Sequence, residues 1–161
     1  MKIALTICAG VVVVVLVAIV AFNTLPRAPS QTAVGTFDDL PRYLLALQQS
    51  KEPYAFLVVT VSGTEDFLQF MYEDDTLIID FPLATPRQQG LESAFRSALV
   101  AHNLEPIDLT TSTGQRILDA KLPLSNSQAA DVIYQLFSAI YGTSQSAELI
   151  FNWDGFSLND A

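Results

Sequence analysis

The feature that most restricts this chain is an uncharged stretch from Ile3 to Phe22, in which Gly10 to Val20 is unbroken hydrocarbon apart from the glycine. About twenty residues at about 1.5 Å per residue reach ~30 Å, the depth of a bilayer core. Inside lipid the backbone must satisfy its own hydrogen bonds, so even a valine-rich run is expected to be helical. Residues 1–22 therefore predict a transmembrane signal anchor. A cleaved signal peptide is the alternative, with Lys2 as its basic end and Ile19-Val20-Ala21 as its cleavage site. Lys2 on one side and Arg27 on the other favour an amino terminus in the cytoplasm. The expected location is the inner membrane, single-pass, with the following domain in the periplasm or outside; cleavage would instead make it secreted or periplasmic.

Residues 23–36 contain Pro26, Pro29 and several small polar residues without periodicity, and read as a flexible spacer. That leaves residues 37–161 for a single domain. There are 17 acidic against 8 basic side chains, a net charge of −9, and setting Lys2 aside makes the remainder more acidic still. Phosphate backbones would repel such a domain, so no nucleic-acid partner is expected. Cys8 is the sole cysteine. It lies inside the apolar run, permits no intrachain disulfide, and is not preceded by the small residues of a lipidation signal; it reads as apolar filling.

Hydrophobic periodicity and stop signals order the domain. A first helix is expected after Asp38 and Asp39, with Pro41 in its first turn and Leu40, Tyr43, Leu44 and Leu47 on one face. Strands are expected over Tyr54 to Val61, Glu65 to Tyr72 and Thr76 to Phe81, joined by tight turns at Ser62-Gly63 and Asp74-Asp75. A second helix opens on a Thr85/Gln88 capping box and ends near His102-Asn103. Extended pieces at Glu105 to Leu109 and Arg116 to Leu122 flank a turn-rich Thr110 to Gly114. A third helix runs from a Ser125/Gln128 box to Gly142. Ala147 to Trp153 reads as a short strand or a strap.

The predicted fold class is α+β, an antiparallel sheet in helix, three strands, helix, two strands, helix order, plus one N-terminal transmembrane helix. That element order, with the hairpins at Ser62-Gly63 and Asp74-Asp75, resembles the fold of type III secretion chaperones and the related YbjN-like bacterial domains, over about Phe37 to Tyr141. The resemblance implies a protein that works through protein contacts, often as a dimer, and not as an enzyme. Secretion chaperones are cytosolic, whereas this domain follows an export-type segment.

Two-residue turns would set Leu57 opposite Leu68, and Phe70 opposite Ile79, sorting the strands into two faces. One face, holding Ala55, Leu57, Val59, Leu68, Phe70, Tyr72, Leu77, Ile79 and Phe81, is the expected core. The other holds Tyr54, Phe56, Val58, Phe67, Met71 and Ile78, interrupted by Thr60, Gln69, Thr76 and Asp80. It is too apolar for an ordinary wet surface. Either the third helix or the Ala147 to Trp153 piece covers it within the monomer, or it is an interaction face for a homodimer or a protein partner.

Chemistry-bearing patterns are sparse. His102 is the sole histidine and reads as a helix-end residue near the carbonyl pole. Glu73-Asp74-Asp75 lacks the alternating ligands of a calcium loop and reads as a solvated turn. The threonines of 110–113 have no nucleophile-elbow pattern, and the glycines form no phosphate cradle. No catalytic residue, cofactor or metal is expected. The sequence thus predicts a membrane-anchored envelope protein acting as a chaperone-like or adaptor module, with a small-ligand or lipid-binding exported protein as the alternative.

Overall fold

The structure, a computed structural model, describes residues 30–158. The expected anchor and the first half of the expected spacer, residues 23–29, lie outside them, and the second half contains a strand, Gln31–Gly35. A seven-stranded antiparallel sheet forms one layer and four α-helices form the other. The strands are β1 (Gln31–Gly35), β2 (Phe56–Val61), β3 (Phe67–Glu73), β4 (Thr76–Pro82), β5 (Ile107–Thr110), β6 (Arg116–Leu122) and β7 (Leu149–Asp154). The helices are α1 (Leu40–Gln49), α2 (Pro86–Gly90), α3 (Glu92–Ala101) and α4 (Asn126–Tyr141). Across the sheet the order is β1-β7-β2-β3-β4-β6-β5.

The expected fold class needs correction in two respects. Among the described residues no helix is long and apolar enough to cross a membrane. The predicted transmembrane helix, placed on residues 3–22, lies outside the described residues and is not part of the observed architecture. The order also differs, because strands precede and follow the predicted series and the second helix is divided at Gly90-Leu91 into α2 and α3.

Local sequence accounts for most boundaries. Thr36 opens a short 3-10 turn, Phe37–Asp39, and its N–H donates to Asp39 Oδ2 at 3.0 Å. Helix α1 follows directly, with Pro41 early enough to lose no hydrogen bond. The Thr85/Gln88 box is formed: Gln88 N–H donates to Thr85 Oγ1 at 3.2 Å, and Thr85 N–H donates to Gln88 Oε1 at 3.1 Å. At α4, Ser125 N–H donates to Gln128 Oε1 at 3.3 Å, and Gly142 ends the helix at φ 69°. That left-handed step costs glycine little and relieves the last carbonyls. Helix α3 closes differently, with Asn103 at φ 56° and Leu104 N–H donating back to Leu99 O at 2.9 Å.

The hairpins differ in a way that bears on the sheet faces. Asp74 and Asp75 take φ 48° and 61° between the paired Glu73 and Thr76, so this is the expected two-residue turn of the twisted type. The β2-β3 connection is longer. Val61 N–H donates to Asp66 O, leaving Ser62 to Glu65 as the loop, and Leu57 faces Phe70 rather than Leu68. The register has moved by two residues. A shift of one would have turned every side chain over; a shift of two preserves both faces.

All the residues expected on the core face are buried except Tyr72, which is half-buried. Helices pack there through Tyr43, stacked on Phe151 with ring centroids 4.2 Å apart, and Phe95, stacked on Phe81 at 4.6 Å. Helix α4 lies against α1 and α3, and contributes Ile133, Leu136 and Phe137 to the same core. Leu118, Ala120 and Leu122 of β6, and Leu149, Phe151 and Trp153 of β7, complete it.

Candidate interaction face

The expected interaction residues divide by position. Phe56 and Val58 on β2, Phe67 and Met71 on β3, and Ile78 on β4 share the sheet face opposite the helices. Phe56, Val58, Phe67 and Met71 are half-buried, and Ile78 is 5% exposed. Tyr54 precedes β2 in a turn and is 59% exposed.

Neither of the two expected covers lies over this face. The third predicted helix, α4, packs in the helical layer on the opposite side. The Ala147 to Trp153 piece has entered the sheet instead: β7 pairs with β2 on one side and β1 on the other. Its alternate residues Ile150 and Asn152 therefore extend the face rather than shield it.

Cross-strand register arranges the face in rows. One apolar row runs through Val34, Ile150, Thr60 and Phe67, and on the far side through Ile117 and Leu109. Val34 is 61% exposed and Leu109 45% exposed, so the row ends in open hydrocarbon at both sheet edges. A second row carries Asp154, Phe56, Met71, Ile78 and Lys121, apolar at its centre and charged at both ends. Between them lies a polar row of Thr32, Asn152, Val58, Gln69, Asp80 and Asp119. Thr32 Oγ1 donates to Asn152 Oδ1 at 2.8 Å in this row.

Asp80 and Asp119 are its unusual members. They are directly opposed across β4 and β6, and Asp80 is 6% exposed. Burial, the neighbouring Asp119 charge and a hydrogen bond to Asp119 push the Asp80 carboxyl well above the usual range. Burial also raises Asp119, the Glu73 charge adds to this, and the hydrogen bond from Asp80 opposes it. Two carboxylates have no hydrogen between them, and Asp119 Oδ1 is enclosed without a donor. A proton on Asp80 turns that contact into a hydrogen bond donated to Asp119.

Among the described residues the four arginines and Lys121 lie against other carboxylates. Arg87 grips Asp66 through Nε and Nη2 at 2.5 and 2.8 Å. Arg96 and Arg116 both bridge Glu92 and Asp108, fastening α3 to the β5-β6 hairpin. Arg42 lies 3.3 Å from Asp39, and Lys121 Nζ lies 3.7 Å from Glu73.

The remaining chemical candidates are dispersed. His102 caps α3, Glu73-Asp74-Asp75 forms the tight β3-β4 turn, and the threonines at 111 and 113 bond each other at 2.8 Å in the β5-β6 loop. Among the described residues no three histidine, cysteine or acidic side chains converge as a metal site requires. A cleft of about 640 Å³ lies outside the core, between Leu83, Gln89, Glu92 and the Thr113 to Arg116 loop.

Sequence reasoning did not find Val34, Ile150, Asn152, Ile117, Asp119 and Lys121 on this face. The alternation was present in Leu149 to Trp153 and in Arg116 to Leu122, with every second residue apolar and buried. What those strands paired with was not. No family model, curated protein or solved structure matches the chain.

Proposed function

We propose that this domain is a protein-interaction module of the bacterial envelope, which uses the sheet face opposite its helices and is held at the membrane by the apolar Ile3 to Phe22 segment. The observation that carries the reading is the one-sided packing. Among the described residues all the helices serve one face, and on the other remain apolar side chains, most of them half-exposed, in rows on either side of a polar one. Monomeric proteins rarely expose a patch spanning a whole sheet without using it. The tether rests on the length and lack of charge of residues 3–22. The YbjN-like reading draws support from the helix, three strands, helices, two strands, helix series within the observed order.

The small-ligand alternative calls for an apolar pocket between sheet and helices. The helix-facing side chains instead close on one another, and the cleft near Arg116 lies outside that core with charged walls. The interaction reading is therefore preferred.

Crosslinking of the full chain in its native membrane, comparing wild type with Phe67→Glu, tests this reading. Phe67 is half-buried and points away from the core, so the variant should stay folded while losing its crosslinked species. Unfolding of the variant, or an unchanged crosslinking pattern, would count against the face.

A further inference from the structure

Resting on that reading, we infer that the partner presents a cationic side chain set among apolar ones, and that this lysine or arginine lodges at Asp80 and Asp119. Like charges directly opposite each other across strands destabilise a sheet. Here the two stand within an apolar surface, where an uncompensated charge is costly. Within the described chain the four arginines have carboxylate partners elsewhere, and Lys121 reaches toward Glu73. A neighbouring molecule can supply what these described side chains do not.

Charge and size both suit such an occupant. A second copy would bring another net −9 against the first, whereas a cation among apolar groups complements the polar row and the apolar side chains on either side of it, Phe67 in one flanking row and Met71 and Ile78 in the other. Seven strands spaced about 4.8 Å apart and about 20 Å long offer roughly 650 Å², close to the ~800 Å² per partner of a standard interface. The cation would take the place of the shared proton. The charged groups facing the pair are Glu73 and Lys121, while Gln69 of β3 and Ile107 of β5 are its uncharged neighbours.

The test uses the full chain in phosphatidylcholine nanodiscs, with Val58→p-benzoylphenylalanine as a photo-crosslinker on the face. The probe is a leucine-rich peptide with one lysine at the centre of its apolar face; control peptides carry norleucine or glutamate there. The lysine peptide should bind at least tenfold more tightly than the norleucine peptide, and its binding should strengthen as pH rises through the raised range of the pair and a proton is released. Asp80→Asn combined with Asp119→Asn should erase the preference and leave norleucine-peptide binding intact. Equal binding of the lysine and norleucine peptides would overturn the cation requirement while leaving the interaction face standing. Adducts only between copies of the chain would overturn it in favour of self-association. Absence of any adduct would overturn the inference and the interaction face together.

Discussion

Asp80 on β4 and Asp119 on β6 confront each other directly in the sheet, and the deeper of the two holds its proton above the usual carboxylate range. A carboxyl that binds its proton more strongly when folded than when unfolded makes the folded state lose ground as pH rises. The pair's contribution should therefore be fully present below the ordinary carboxylate range and be lost as pH rises through the raised range of Asp80 and Asp119.

Asp80→Asn replaces the shared proton with an amide donor that does not titrate. It is expected to raise stability at pH 7 by about 1–2 kcal/mol and to flatten the loss as pH rises. Urea unfolding of wild type and variant across pH 4 to 8 would check this; a less stable variant at pH 7 would contradict it.

The exposed network of Glu92, Asp108, Arg96 and Arg116 should respond to pH in the opposite direction. Hydrogen bonds from Arg116 and Arg96 hold the Glu92 carboxyl below its usual range, and those from Arg96 hold Asp108 below its own. Its contribution is present above the ordinary carboxylate range and is lost as pH falls through the lowered one. Glu92→Gln should lower the melting temperature at pH 7, with the difference from wild type shrinking as pH falls through the lowered range and hydrogen exchange rising first in the β5-β6 hairpin.

Tyr43 stacks on Phe151 and meets Trp153 edge-on, but its buried hydroxyl has no hydrogen-bond partner. Tyr43→Phe keeps the ring contacts and removes the enclosed polar group. A gain of about 1 kcal/mol is expected, read by thermal unfolding with the near-ultraviolet signal of Trp153 reporting the core. A substantial loss would mean the hydroxyl is satisfied in solution.

Asp66 is buried beside the β2-β3 loop and accepts two hydrogen bonds from Arg87 of α2, whose own side chain is half-exposed. Arg87→Ala should lower the melting temperature considerably more than Arg42→Ala, whose exposed pair with Asp39 contributes little. Calorimetry on both variants decides it, and equal shifts would show that the buried pair is no stronger than the surface one.

Elements whose signals are local were legible from sequence. The capping boxes at Thr85 and Ser125, the Gly142 stop and the Asp74-Asp75 turn all fall where their chemistry places them. The Ser62-Gly63 turn was harder, because Thr64 draws the chain into a longer loop: its side chain donates to Val61 O and accepts from Asp66 N–H. Strand β1 was not legible. Gln31 to Gly35 sit at an edge with mostly exposed side chains and form a strand only because β7 lies beside them. Half of the open face was hidden for the same reason, since Ile150 and Asp119 reach it through pairings that join distant parts of the chain.

Strand β7 joins β1 to the rest of the sheet, although more than a hundred residues separate β1 from it in the chain. During synthesis β1 emerges from the ribosome well before β7 exists to receive it. The central β2-β3-β4 meander can pair as it appears, whereas the Val34 end of the open face is completed only when Leu149 to Asp154 arrive. A chain in which Leu149 to Asp154 have not yet been made would thus present an incomplete surface, with β1 unpaired and the Val34 end of the face unformed.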